Sequence, residues 1–242
     1  MYLFDALGLP QRGSASLVGG GGKSTLLRCL TEEVAGASRS AVAVTTTRIT
    51  RAQGAAAGVL VLSGGAAALE AALKIRRAVC AGTLCQDGKL GPPEPEVLAA
   101  AYSLADWVLA EADGARRLPV KAPADHEPVL LPGGFVIAVA GVSALGRPLC
   151  EICHRWELAA KALDVSPEER LTPQMLARLL TSERGQYKGV ADPARFRVLL
   201  NQADAAPEGA VETARAVRRA LPGCRVVTAA LRERNGIREV FI

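Results

Sequence analysis

The chain has 242 residues, half of them apolar, with a net charge of +5 and a pI near 9.0. That length suits one large domain, and the apolar share is enough for a sizeable core. The basic residues are scattered and aromatics make up only 4%, which speaks against a nucleic-acid binder, since those carry dense basic stripes and base-stacking rings.

Short apolar β-like runs alternate with helical stretches, the pattern of a parallel sheet covered by helices on both faces. "SASLV" (14–18) reads as a strand and "STLLRCLTEEVA" (24–35) as an amphipathic helix. "SAVAVTTT" (40–47) and "GVLVLS" (58–63) are the next strands, followed by the Ala-rich helix "GAAALEAALKIRR". "AVCAGTLCQDGKLG" reads as a hairpin around the Asp87-Gly88 turn signal, and the prolines at 92, 93 and 95 precede a helix at 96–105. "DWVLAEADGA" (106–115) is a strand running into a loop.

Residues 128–146 hold 19 positions without a charge, long enough to span a bilayer. Prolines and glycines divide them, so "FVIAVAG" is expected as a buried strand. Residues 154–182 read as helical, with Thr172-Pro173 opening the second helix. "FRVLLNQAD" (196–204) is strand then loop, "EGAVETARAVRRAL" a helix and "CRVVTAA" the last strand. The expectation is one P-loop NTPase-like domain over 1–242. It is a three-layer αβα fold with a mostly parallel sheet and a helical insertion around 154–190. No leader and no membrane span are read, and the expected location is the cytoplasm.

"VGGGGKST" (18–25) carries the strongest chemical signal. A strand ends at Val18 and a helix begins near Ser24. Gly19, Gly20, Gly21 and Gly22 let the backbone turn tightly, with N–H groups available to an anion at a helix N-terminus. Lys23 is placed to reach the outer phosphates, the Ser24 hydroxyl to ligate Mg2+, and Thr25 to touch the α phosphate. The usual G-x4-G-K-[ST] would put glycine where Leu17 stands. What remains is the shorter G-x-x-G-K-S found in Mur-type ligases. The expected ligand is ATP or GTP with Mg2+.

"WVLAEADGA" ends an apolar strand in Glu111 and Asp113. Their alternate spacing lets both face one side, one to hold the metal and the other to orient or deprotonate an attacking group. Arg116, Arg117, Lys121 and His126 follow in "GARRLPVKAPADHEP" and could grip an anionic substrate. Thr46 and Arg48 in "TTTRITR" end a strand whose loop would cover phosphates. His154 and Arg155 open a later helix, either as further substrate-facing residues or as plain surface residues. Asn201 and Asp204 in "NQAD" have the base-reading arrangement of many GTPases, with Gln202 where lysine is usual. They also suit an ordinary turn.

Cys150, Cys153 and His154 in "CEICH" match the spacing of covalent haem attachment. That chemistry needs an exported chain, so a chance pair is the alternative reading, and a metal or redox role for the two cysteines stays open.

Together "VGGGGKST", "TTTRIT", "EADGARRLPVKAPADHEP", "GVSALGRPL" with "HRWE", and "LLNQAD" resemble the YqeC family, accessory proteins of selenium-dependent molybdenum hydroxylases. The long acidic-to-basic run is the specific part. Gln202 for lysine and Ser24 for threonine are the departures. The resemblance implies a phosphate-loop protein in selenium cofactor biosynthesis or insertion. Its second ligand would then be a pterin-molybdenum cofactor, or its client a selenium-dependent hydroxylase. Three activities stay open: an NTP-hydrolysing maturation factor, a small-molecule kinase or Mur-like ligase, and a nucleotide-dependent chaperone without turnover.

Overall fold

The computed structural model describes residues 1–233 and 236–242. In chain order the elements begin with α1 (Leu3–Leu7), β1 (Gly13–Gly19), α2 (Lys23–Gly36), β2 (Ala41–Thr45), α3 (Arg51–Ala57), β3 (Val59–Val61) and α4 (Gly65–Ile75). β4 (Ala78–Ala81) leads into a small hairpin of β5 (Thr83–Leu84) and β6 (Leu90–Gly91), then α5 (Pro95–Leu104), β7 (Trp107–Glu111), β8 (Val120–Lys121) and β9 (Phe135–Gly141). A helical stretch follows: α6 (Leu149–Ile152), β10 (Cys153–His154), α7 (Trp156–Leu163) and α8 (Pro173–Thr181). β11 (Phe196–Asn201), α9 (Pro207–Ala220), β12 (Arg225–Ala229) and β13 (Ile237–Phe241) complete the order.

Nine strands form the main sheet in the order β13-β12-β11-β9-β1-β7-β2-β4-β3. All its pairs are parallel except β12 with β13. The inner strands are mostly apolar and buried because both sheet faces are covered. Leu17, Trp107, Leu109, Ile137, Val139 and Leu199 point to the α2–α3 side. The alternate residues Val18, Ala138, Val198 and Leu200 meet α6–α9, while Val42, Val44, Val108 and Ala110 meet α4 and α5. The result is three layers, helix, sheet and helix. Among the described residues no helix is long and apolar enough to cross a membrane, and the uncharged run contains β9, buried in the sheet centre.

Local signals fix several helix starts. Pro95 and Pro173 stand at first-turn positions, and Thr172 accepts from Met175 N as an N-cap. Thr50 and Gln53 form a reciprocal capping box that starts α3.

Four features differ from the expectation. The helices α1 and α3 occupy stretches for which the pattern predicts no element, and β8 pairs with β10 in a two-strand sheet of its own. The last strand is not 224–230: β13 follows as an antiparallel edge strand. Its Arg238 and Glu239 suit a solvent-facing edge and hide its strand character. The hairpin is confined to β5 and β6, because β4 leaves it to pair parallel with β2 and β3.

β1 lies between β7 and β9, with Leu17 opposite Glu111 and Gly19 opposite Val139. The carboxyl ends of these strands therefore converge on the segment after Gly19, the usual ligand-binding edge of an open α/β sheet. Leu17 is fully buried in the central strand. Leu17→Ala is expected to cost about 3 kcal/mol by urea denaturation; a loss under about 1 kcal/mol would contradict the core position assigned to it.

Candidate functional site

The glycine loop runs from the end of β1 to the start of α2. Gly21 and Gly22 have φ of +70° and +141°, outside the range that side-chain-bearing residues adopt easily. A Cβ on Gly21 would stand 2.2 Å from Gly141 N, and one on Gly22 would stand 2.3 Å from Asn201 Nδ2. Close packing alone therefore demands glycine at both positions.

The loop amides divide into two sets. Gly19 N donates to Asp113 Oδ2 at 3.0 Å, Gly20 N to Val139 O at 2.9 Å and Gly21 N to Leu118 O at 3.0 Å. These three amides, expected to point at phosphate, are committed to the chain instead. The N–H groups of Gly22, Lys23, Ser24 and Thr25 have no acceptor among the described residues. They form the open first turn of the 14-residue helix α2, where the partial positive charge of the helix is concentrated.

Lys23 is buried and folds back over the loop. Its Nζ donates to Gly19 O at 2.5 Å and lies 3.0 Å from Asp113 Oδ1 and 3.9 Å from Glu111 Oε1. Ser24 Oγ donates to Glu111 Oε2 at 2.8 Å and accepts from Gln53 Nε2 at 2.7 Å. Burial raises the Glu111 carboxyl above its ordinary value, with Lys23 and Ser24 opposing; a divalent cation beside it would reverse that shift.

Asp113 faces the same side as Glu111, as its alternate spacing implies, and the Glu111 and Asp113 carboxylates lie 3.9 and 3.0 Å from Lys23 Nζ. Asp113 is fully buried, and its two oxygens face Lys23, Lys121 and Gly19 N. Lys121, expected among the cations that meet a substrate, is also buried. Its ammonium lies 3.1 Å from Asp113 Oδ2 and 2.6 Å from Glu127 Oε2. Arg155 closes the series with a two-pronged contact to Glu127, at 2.6 and 3.3 Å. The series Lys23–Asp113–Lys121–Glu127–Arg155 is thus a chain of alternating charges running from the glycine loop to the start of α7. Burial drives Lys121 down, with both carboxylates opposing. Burial pushes Glu127 up, but Lys121 and Arg155 outweigh it and bring the carboxyl to about 2.

The other predicted residues spread around this centre. Arg116 and Arg117 are exposed on the turn that leads into Leu118. His154 is half-buried beside Lys121 on the β8–β10 pair; burial, then Arg155, Lys121 and Arg116, lower its pKa. Thr46 Oγ1 donates to Val129 O at 2.8 Å, and its N–H to Glu111 O. Arg48 is exposed and reaches Asp87 of the β5–β6 turn at 3.6 Å. His126 is exposed on a loop anchored by Lys188.

Asn201 donates to Gly21 O at 2.7 Å and accepts from Leu231 N at 3.0 Å, so both ends of its amide brace the chain. Gln202 Oε1 accepts from Ser143 Oγ and packs on Gly141. Asp204 is exposed on a cleft of about 770 Å³ between α9 and β12–β13, which none of residues 19–25 lines. Cys153 is buried and its thiol pushed up to about 12 by burial, which disfavours the thiolate that a metal or carrier role needs.

Sequence reasoning missed Gln53, Glu127 and Gln186. Gln53 carries a legible signal in the T-x-x-Q capping box. Glu127 stands in the acidic-to-basic run already singled out. Gln186, whose Nε2 donates to Lys121 O at 2.7 Å, has no local signature.

Fold and site together define an α/β protein whose central strand delivers a glycine loop and lysine to a carboxylate on the next strand. A family model described as YqeC protein matches residues 15–157, more than half of the chain. An Escherichia coli (strain K12) protein described as "Uncharacterized protein YqeC" is 31% identical over 192 residues, covering 77% of this chain and 75% of the relative. The chain belongs to the YqeC family. No solved structure matches it. The matched span holds the glycine loop and the whole charge chain, and ends before Asn201 and Asp204.

Because Glu127 is held low, its contribution to stability is complete above the ordinary carboxyl value of 4.5 and fades as pH falls toward about 2. Glu127→Gln should lose about 3 kcal/mol at pH 7 and show a flatter stability profile through that acid window. An unchanged acid slope in denaturation curves would contradict the pairing.

Proposed function

We propose that the chain binds a magnesium–nucleoside triphosphate at residues 19–25. We further propose that it uses the nucleotide as an accessory protein in selenium cofactor biosynthesis or in maturation of selenium-dependent molybdenum hydroxylases. The biological setting rests on the family resemblance. The nucleotide rests on one observation: four unpartnered amides, Gly22 to Thr25, open beside the Lys23 ammonium and the Ser24–Glu111 pair. Polyphosphate is the ligand such an arrangement suits, since its oxygens can take several amide N–H bonds and a lysine together.

The donor set also suits Mg2+. Ser24 Oγ and one carboxylate, Glu111, would hold it, with phosphate oxygens and waters completing the shell, as is usual for this ion. Among the described residues there is no cluster of three or more His, Cys, Asp or Glu that could form a protein-only metal cage. When bound, the ion would neutralise charge on the outer phosphates. Lys23 would meet those phosphates by leaving Gly19 O, while Asp113 keeps the ammonium oriented. Gln53 would hold the Ser24 hydroxyl in place.

One observation favours binding with negligible turnover, the nucleotide-dependent chaperone reading. Asp113, the carboxylate expected to deprotonate an attacking group, is fully buried between two lysines and an amide. It is poorly available as a general base.

Saturating Mg-ATP or Mg-GTP, at about 100-fold over Kd, should stabilise the protein by about 2.7 kcal/mol in thermal unfolding. Ser24→Ala should lose the part of that shift that requires magnesium, and Lys23→Ala all of it. No shift with either nucleotide in the unaltered protein would refute the proposal. Phosphate release measured alongside separates negligible turnover from hydrolysis.

A further inference from the structure

Residues 114–119 leave β7 just beyond Glu111 and fold over the glycine loop. Leu118 O accepts from Gly21 N, and Pro119 O accepts from Gly141 N at 2.8 Å. A Cβ on Gly20 would come within 2.6 Å of Leu118 O, so the turn and the loop are in direct contact. The two residues preceding Leu118 are both arginines, and both are left-handed: Arg116 at φ 48° and Arg117 at φ 63°.

Left-handed backbone is costly for residues with a β-carbon, and two in succession is unusual outside glycine. Among the described residues six non-glycine positions have positive φ, and three of them, Arg116, Arg117 and Gln202, lie in the segments packed on this loop or on Gly141 beside it. Nothing in the core requires this conformation at 116 and 117, because both side chains are exposed, and neither guanidinium forms an ion pair among the described residues. The neighbouring acids cannot supply one: Asp113 faces Lys23 and Lys121, and Glu127 faces Lys121 and Arg155. Two cations are held out of pairing, on a strained turn, against the loop that the proposed function gives to polyphosphate.

We propose that Arg116 and Arg117 grip the terminal phosphoryl group of the bound nucleotide, so that the turn tells a triphosphate from a diphosphate. This inference rests on nucleotide binding at residues 19–25 and deepens it. The α2 amides serve phosphates common to both nucleotides and Lys23 spans the outer two, while the arginine turn meets only the outermost one. A planar guanidinium takes two oxygens of one phosphoryl group, and anion binding then offsets the strain of the turn. Pairing also links the nucleotide state to Lys121 through the short 118–121 connection, and from there to Glu127, Arg155 and α7.

The test uses glycine variants, because glycine accepts the left-handed turn without strain. Arg116→Gly and Arg117→Gly should fold and, without ligand, melt higher by about 2–4 °C. The unaltered protein should bind the Mg-triphosphate of its preferred base at least about tenfold tighter than the diphosphate. The double glycine variant should lose most of that preference by binding the triphosphate more weakly, with diphosphate affinity unchanged. A variant that keeps the full preference, or an unaltered protein that binds both nucleotides equally, would overturn the inference and leave nucleotide binding intact. An unaltered protein that binds neither would overturn the underlying reading instead.

Discussion

Asp113 is the constraint on which the site depends. It sits fully buried past the end of β7, and its carboxylate touches three things at once: the backbone of Gly19, the ammonium of Lys23 and the ammonium of Lys121. A charge so deep is tolerable only when paired, and removing one partner would strand the others. The pairing propagates, because Lys121 is itself buried and requires Glu127, and Glu127 draws in Arg155. One carboxylate thereby ties the glycine loop, the 114–127 segment and the start of α7 into a single electrostatic unit. Buried ion pairs of this kind contribute less to net stability than to a defined geometry, and here the geometry is that of Lys23.

The arrangement prepares the loop before any ligand arrives. Lys23 is already positioned by Asp113 and Gly19 O, Ser24 by Glu111 and Gln53, and the loop backbone by Asn201 and Leu118. In the proposed function little ordering would remain to oppose binding, which is how preorganised sites gain affinity. The four glycines then have a division of labour. Gly19, Gly20 and Gly21 fasten the loop to its neighbours, and Gly22 begins the free amide row. The shorter G-x-x-G-K-S spacing is consistent with that division, since the row begins only one residue before the lysine.

Much of this was legible in the sequence. Strands buried on both faces announce themselves as predominantly apolar runs, so β1, β2, β7, β9, β11 and β12 could be placed from composition and flanking turns. The Lys23–Ser24 step at a strand-to-helix junction, and the acids at 111 and 113, follow from spacing alone. What spacing could not reveal was which groups are buried. Glu111 and Asp113 look equivalent in the sequence, yet one faces the Ser24 hydroxyl and the other is enclosed by lysines. Lys121 reads as a surface cation, and only the β8–β10 pairing, two residues long and without local signature, carries it inside. The edge strand β13 was hidden because its charged residues suit solvent, and pairing with β12 decides its conformation. The exposed Asp204 and the braced Asn201 share one short motif, but their burial parts them.

In the proposed function the amides of Gly22 to Thr25 are the anion-binding groups. Amide-resolved NMR of the isotope-labelled protein during titration with magnesium and nucleoside triphosphate tests it directly. The Gly22, Lys23, Ser24 and Thr25 resonances should shift together and saturate with one affinity, while Gly20, already bonded to Val139, should move least within the loop. Nucleotide binding that leaves those four amides unchanged, or no binding at all, would contradict it.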